Sequence, residues 1–222
     1  MPELPEVETV VKLLSKNFKL KEIKKIELIN DYLLKSHFKN TSLLSGQIIR
    51  NIERKGKYIF FILDDYVLIF HLRMTGKFLL ESSFNFREYG KSLALIVHFE
   101  DDYKLFFCDV RNFATLHIQS LIDYKNSYPY NSIGLDLLND NIDELEFYNF
   151  FNKRAMYIKS ALLDQKIMSG IGNIYASEIL FHTQVNPYTL TNSISEKKYR
   201  EIIDFAKVII NKSVKMGGCS IS

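Results

Sequence analysis

Apolar residues near the amino terminus fall at Val7, Val10, Val11, Leu14 and Phe18, the spacing of a single buried stripe on an amphipathic helix. Glu3, Glu6 and Glu8 crowd its start, where the positive end of the helix dipole favours acidic side chains. From Glu22 to Ile118 the period shortens. Runs rich in β-branched and aromatic residues cover Ile23 to Ile29, Ile48 to Ile52, Tyr58 to Leu63, Val67 to Leu72, Leu93 to Phe99, Lys104 to Cys108 and Thr115 to Ile118. Turn-like pairs such as Asp64-Asp65 and Asp101-Asp102 separate several of them, which predicts hairpins folded into a β-sandwich.

Residues 119–142 are rich in Asn, Asp, Ser and Tyr, carry Pro129 and Gly134, and keep no period, as a linker does. Helical spacing follows. Asn141 with Glu144 resembles a capping box ahead of Leu145, Tyr148 and Phe151, and Ser193 with Glu196 does the same ahead of Tyr199, Ile202, Ile203, Ala206 and Ile210. The last helix is expected to stop at Gly217-Gly218. The chain reads as α+β, with a first domain over 1–125, a linker over 126–142 and a helical domain over 143–222.

Composition adds little. The 222 residues are 47% hydrophobic and 25% charged with a formal net charge of +3, ordinary for a globular protein and compatible with a nucleic-acid partner without announcing one. Cys108 and Cys219 are the two cysteines and form no C-x-x-C pair, so neither a disulfide framework nor a zinc site is legible, and a reducing cytoplasm is the expected setting. No apolar stretch of about 20 residues is present to span a membrane, and the opening Pro-Glu segment lacks the basic and apolar regions of a secretory signal. No exposed apolar periodicity suggests a subunit interface, so a monomer is expected.

Pro2 carries the first candidate chemistry. With Met1 removed, its amine is secondary, nucleophilic and held by the ring, and an α-amino group with an ordinary pKa of roughly 7.7 to 8.0 is partly uncharged at neutral pH. Attack on a sugar C1′ gives an iminium ion that cannot be neutralised by losing a proton from nitrogen, so the adduct remains an electron sink. Glu3 and Glu6 stand where they could pass protons to the sugar and the departing base. Taken alone, the same residues read more readily as a helix start, with Pro2 and Pro5 opening the helix and the glutamates capping it.

The opening Met1-Pro2-Glu3-Leu4-Pro5-Glu6-Val7-Glu8-Thr9 resembles the amino-terminal signature of the formamidopyrimidine-DNA glycosylase family. Further agreements run along nearly the whole chain: Arg54-Lys55-Gly56-Lys57-Tyr58, His71-Leu72-Arg73-Met74-Thr75-Gly76, Asp109-Val110-Arg111-Asn112-Phe113, Ile158 to Gln165, and Gly170 to Glu178. The resemblance implies an N-terminal β-sandwich with flanking helices joined to a helix-two-turn-helix domain. It implies that Pro2 attacks C1′, that Glu3 donates the proton for base release and that Lys57 assists β-elimination. It makes Met74, Arg111 and Phe113 the trio that fills the void left by an extruded base, with Lys159, Asn173 and His71 as phosphate contacts. Amides at the glycine-punctuated start of the helix at Ile174 are expected to face phosphate. The implied partner is double-stranded DNA carrying oxidised bases or abasic sites.

Three departures stand out. Family members continue into a four-cysteine zinc finger, whereas this sequence stops at Ser222, so no cofactor is expected in this chain. Lys91-Ser92-Leu93-Ala94 lacks histidines that many members carry, and Ala114 replaces a common glycine. The expected activity is excision of oxidised purines such as 8-oxoguanine and formamidopyrimidines. Alternatives are a truncated, non-catalytic binder of damaged DNA and an endonuclease VIII-like glycosylase for oxidised pyrimidines. Leu4 and Val7-Glu8-Thr9 favour the purine branch.

Overall fold

The computed structural model describes residues 1–218 except 37, 39 and 141–143. Asn141, half of one expected capping box, and Cys219 lie outside the described residues. In chain order the elements are α1 (Leu4–Phe18), β1 (Ile23–Leu28), β2 (Asn51–Lys55), β3 (Tyr58–Ile62), β4 (Tyr66–His71), β5 (Gly76–Leu80), α2 (Phe86–Tyr89), β6 (Leu93–Phe99), β7 (Lys104–Asp109) and β8 (Thr115–Ser120). They continue with β9 (Leu135–Asp136), α3 (Glu144–Asn152), α4 (Ile158–Leu163), β10 (Met168–Ser169), α5 (Asn173–His182) and α6 (Glu196–Lys215). The fold is α+β. Backbone contacts divide it into one unit of Met1–Pro2 with Val10–Tyr128 and a second of Glu3–Thr9 with Pro129–Ser222.

The first unit holds two four-stranded antiparallel sheets, ordered β1-β6-β7-β5 and β2-β3-β4-β8. Alternate residues of each face inward. Phe61 and Phe70 from one sheet meet Phe78 and Phe107 from the other, with ring centroids 5.0 to 5.7 Å apart in tilted and edge-on geometries, the arrangement that ring quadrupoles favour. This interleaving of two inner faces is the sandwich that the strand pattern predicts.

Two strands differ from expectation. The expected run Ile48 to Ile52 forms β2 three residues later, at Asn51–Lys55. Ile48 and Ile49 pair instead with the segment before β1: Ile48 bridges Glu22, and the Ile49 amide donates to the Lys21 carbonyl at 3.0 Å while its carbonyl accepts from the Leu20 amide at 2.7 Å. The Asp64 carboxylate accepts from the Ile48 amide at 2.8 Å and the Arg50 guanidinium at 2.6 Å. Within β2 the inward positions are Ile52 and Arg54, and Arg54 is buried with its guanidinium donating to the Gly56 carbonyl at 2.9 Å. A charged residue facing inward hides the strand from a hydrophobicity pattern. β5 was not expected; it pairs with β7 from Gly76↔Asp109 to Leu80↔Leu105.

The second unit packs its helices around Leu4, Phe151, Ile158, Tyr175, Tyr199 and Ile202. Leu137, from the stretch read as a linker, joins this core, and Leu135–Asp136 pairs in parallel with Met168–Ser169. α6 buries Tyr199, Ile202, Ile203, Ala206 and Ile210 as its period predicts. It ends before Gly217 and Gly218, both at positive φ, where the Gly218 amide closes on the Ser213 carbonyl at 2.8 Å. Its cap is a correction. Ser195, not Ser193, accepts from the Lys198 amide at 3.3 Å, while Ser193 lies in a preceding 3-10 turn and donates to the Leu190 carbonyl. Among the described residues no helix is long and apolar enough to cross a membrane.

The cap assignment has a direct test. Ser195→Ala is expected to lower unfolding free energy by about 0.5–2 kcal/mol, and Ser193→Ala by less, in urea melts of the two variants. Equal losses would remove the distinction.

Candidate functional site

Glu3 occupies the position before α1, and its carbonyl accepts the first helical hydrogen bond, from the Val7 amide at 3.1 Å. Glu6, three residues on, reaches back to accept from the Glu3 amide at 2.8 Å, one half of a capping box. The Glu3 side chain does not serve its own helix. It is 3% exposed and its carboxylate accepts from the amides of Gly172 at 2.7 Å, Ile174 at 3.0 Å and Tyr175 at 3.4 Å, at the start of α5. A helix start offers unpaired amides and a positive dipole end, and a carboxylate meets both. The expectation that these amides face phosphate is therefore corrected: they are taken by Glu3.

Glycines make the seat. At Gly172 an added Cβ would run into the Glu3 carboxylate, and at Gly170, with φ +96°, it would lie 2.8 Å from the Leu4 Cβ. The Gly170 carbonyl accepts from the Leu4 amide at 3.0 Å. Gln165 staples the turn by donating to the Ile171 carbonyl at 2.7 Å and accepting from the Gly170 amide at 3.0 Å. Glu6 is held in turn by the Tyr175 hydroxyl at 3.2 Å. A Cβ at Gly218 would come within 2.8 Å of Glu6 Oε1.

On α5, Asn173 is exposed. Its carbonyl accepts from the Ser177 hydroxyl at 2.8 Å, and Ser177 accepts from Lys159 Nζ at 3.1 Å. Lys159 and Asn173 thus lie on one small polar track through Ser177, a residue that sequence reasoning did not single out.

The remaining expected residues belong to the first unit. Pro2 is half-buried. Lys57 follows Gly56, at φ +57°, in the turn between β2 and β3, and is 4% exposed, not the surface lysine that its charge suggests. His71 ends β4 opposite Tyr58, whose ring meets it edge-on at 4.6 Å. Its Nδ1 accepts from the Arg73 amide at 3.0 Å, which leaves the neutral ring's proton on Nε2. Burial pushes the imidazole down to about 3, helped by the charges of Arg73 and Lys57. His71 therefore offers a neutral N–H donor rather than a cation.

Met74 and Phe113 stand 47% and 53% exposed on the turns that follow β4 and β7. Arg111 joins them, its guanidinium 3.2 Å from the Met74 sulfur and 5.2 Å from the Phe113 ring centroid. Two apolar side chains and a planar multi-donor are assembled in one exposed cluster. The residue before each apolar tip, Arg73 and Asn112, has φ of 53° and 57°, in the left-handed region. Gly76 closes the first turn against the Leu72 carbonyl, 2.6 Å from where a Cβ would sit. Ala114 is buried, its methyl facing Gly76. Among the described residues no group of three His, Cys, Asp or Glu side chains is disposed to hold a metal, and the two cysteines of the sequence cannot supply a four-cysteine finger.

A model of the formamidopyrimidine-DNA glycosylase N-terminal domain matches residues 1–116, and one of the helix-two-turn-helix domain of the same enzymes matches residues 133–222. The formamidopyrimidine-DNA glycosylase of Mycoplasmopsis pulmonis is 38% identical over 227 aligned positions, covering 100% of this chain and 80% of the relative. That of Oceanobacillus iheyensis is 36% identical, covering 100% and 79%. A crystal structure of the Lactococcus lactis enzyme non-covalently bound to DNA containing an AP site superposes with a TM-score of 0.89 at 34% identity, over 97% of this chain and 83% of that one. The same enzyme with DNA containing N7-benzyl-Fapy-dG gives 0.90 at 34%, over 100% and 82%.

The His71 environment predicts a pH signature. Its ordinary value is 6.5 and its folded value about 3, so as pH falls the unfolded chain takes the proton first. Stability contributed by the neutral ring is complete above about pH 6.5 and is lost progressively down to about pH 3. Nitrogen-15 NMR is expected to find His71 protonated at Nε2 alone down to about pH 4; an imidazolium spectrum at pH 6 would refute the assignment.

Proposed function

Because this chain belongs to the formamidopyrimidine-DNA glycosylase family, we propose that it is a bifunctional DNA glycosylase and abasic-site lyase acting on oxidised purines, 8-oxoguanine and formamidopyrimidines, in double-stranded DNA. The observation that carries this reading is the seat of Glu3. A buried carboxylate with three amide partners, joined by one peptide bond to a candidate nucleophile, is a costly arrangement for a residue whose only task is to start a helix.

In the proposed reaction the secondary amine of Pro2, freed by removal of Met1, forms a bond to C1′ as the C1′–base bond breaks and the base leaves with a proton. Glu3 supplies that proton transfer, and Glu6, fixed by the Glu3 amide and the Tyr175 hydroxyl, borders the same peptide. The amine then loses its own proton, and the C1′–O4′ bond opens with a proton passed to O4′, which leaves the iminium between Pro2 and C1′. The iminium draws electrons from C2′. Loss of the C2′ proton then expels the 3′ phosphate, cleaving the strand by β-elimination. Lys57 assists that step from its buried turn, and cannot be an incidental surface charge at 4% exposure. His71, Lys159 and Asn173 contact phosphates, His71 through a neutral N–H. Met74, Arg111 and Phe113 fill the gap: the apolar pair replaces lost stacking while the guanidinium bonds the orphaned partner.

Borohydride reduction with abasic duplex tests the covalent step, since only a working amine leaves a stable protein–DNA adduct. The wild-type chain is expected to trap, and protein retaining Met1 is not. A wild-type chain that binds the duplex and never traps would make it a non-catalytic binder. Excision from duplexes carrying 8-oxoguanine is expected to exceed that from thymine glycol, and the reverse order would move it to the pyrimidine branch.

Gly172→Ala tests the Glu3 seat. Its backbone φ of −123° suits alanine, so the effect is purely of space. Displaced from its three amides, Glu3 is expected to lose base excision by about 100-fold, within the range for a proton-transfer group, while cleavage at a preformed abasic site falls much less. Equal losses in both assays would count against a proton-transfer role.

A further inference from the structure

Deepening the proposed role of Met74, Arg111 and Phe113, and resting on it, we infer that Asp109 is the positioning residue that holds this trio assembled before DNA arrives. Asp109 ends β7, its Cα paired across the sheet with Gly76, and is 1% exposed. Oδ1 accepts from the Thr75 hydroxyl and from the Arg111 amide at 3.2 Å. Oδ2 accepts from the Ala114 amide at 2.7 Å and the Tyr32 hydroxyl at 3.1 Å. These four donors fill the acceptor capacity of one carboxylate. They come from both wedge turns: Thr75 follows Met74, and Arg111 and Ala114 enclose Asn112 and Phe113.

The bracket is closed rather than branched. The Thr75 hydroxyl donates to Asp109 and accepts from the Arg111 amide at 3.1 Å, so the two turns are also tied directly to each other. Such a tie is what the geometry of the turns calls for. Arg73 and Asn112 adopt left-handed φ without being glycine, a strained conformation that persists only when surrounding bonds over-determine it. Burial alone would raise the Asp109 carboxyl, yet the bonds from Thr75, Ala114, Arg111 and Tyr32 hold it below its ordinary value. The charge is used fully within the bracket. None of these four partners is itself a wedge side chain, so Asp109 acts on the trio through backbone and turn geometry.

Asp109→Asn separates this role from simple packing. The amide has one acceptor oxygen, and its NH2 must face either the Arg111 amide with Thr75 or the Ala114 amide with Tyr32. A hydroxyl can turn to accept, but a backbone N–H cannot, so one turn is released while volume is unchanged. The preorganisation that makes insertion inexpensive is then lost.

The readout is 2-aminopurine placed opposite a tetrahydrofuran abasic analogue in duplex DNA, which reports contact with the orphaned base and needs no chemistry. Wild-type protein is expected to change its fluorescence, and Asp109→Asn to reduce that change and weaken duplex binding by about 10- to 100-fold, the range for losing a hydrogen bond to a charged group. Borohydride trapping on single-stranded abasic DNA, which has no orphaned base, is expected to fall at least about tenfold less than trapping on duplex. Far-UV circular dichroism establishes folding. Should Asp109→Asn fail to fold, Thr75→Val removes the closing hydroxyl alone and is expected to act in the same direction, more weakly.

A wild-type 2-aminopurine response in the folded variant, or equal losses on duplex and single strand, overturns the inference. A wild-type chain that shifts 2-aminopurine but never traps overturns the lyase reading and leaves the bracket standing. Trapping by the wild type together with a full response from Asp109→Asn does the opposite.

Discussion

A carboxylate at the start of a helix governs much of this molecule. Glu3 meets the amides of α5 169 residues later in sequence, and satisfies donors that would otherwise be buried unpaired. The bond is directional at both ends. It requires glycine at position 172 for space and at 170 for a left-handed turn, and it draws Leu4 into the core of the second unit. The amino-terminal segment is therefore a structural member of the helical unit although α1 ends in the other. A terminus that would ordinarily fray is fixed from its third residue onward.

A second constraint operates in the β-sandwich. Its strands are packed by aromatic rings from both sheets, and such a core yields little when its surface turns are loaded. Two turns at its edge exploit that stiffness. Each holds a non-glycine residue at positive φ next to an exposed apolar tip, and Gly76 permits the tight closure of the first. Nearby, burial of His71 beside Arg73 and Lys57 keeps the imidazole neutral.

Much of this was legible from residue order. The stripe Val7 to Phe18, most of the strands and the long period of α6 follow from burying apolar residues at 2.0 or 3.6 spacing, and the glycines after α6 mark its stop. Failures occurred where polar side chains took structural parts. Asp64 takes the Ile48 amide, Arg54 points a charge inward, and Ser195 rather than Ser193 caps a helix because both fit the pattern locally. Leu137 looked like linker because the short run Leu135-Asp136-Leu137-Leu138 sits among turn-forming residues and is too brief to show a period.

The candidate site divides in the same manner. Residue order alone, through an amino-terminal proline, paired glutamates and a set of matched motifs, pointed to the family, and that resemblance singled out Pro2, Glu3, Lys57 and the trio Met74, Arg111 and Phe113. Tertiary structure alone decided what those residues touch. It turned Glu3 away from its own helix, buried Lys57, neutralised His71, and brought Tyr32, Thr75 and Asp109 to one point. Periodicity and motifs report what a residue is and which way its element faces. Hydrogen-bond partners separated by tens of residues arise only when the chain has closed on itself, and no local pattern encodes them.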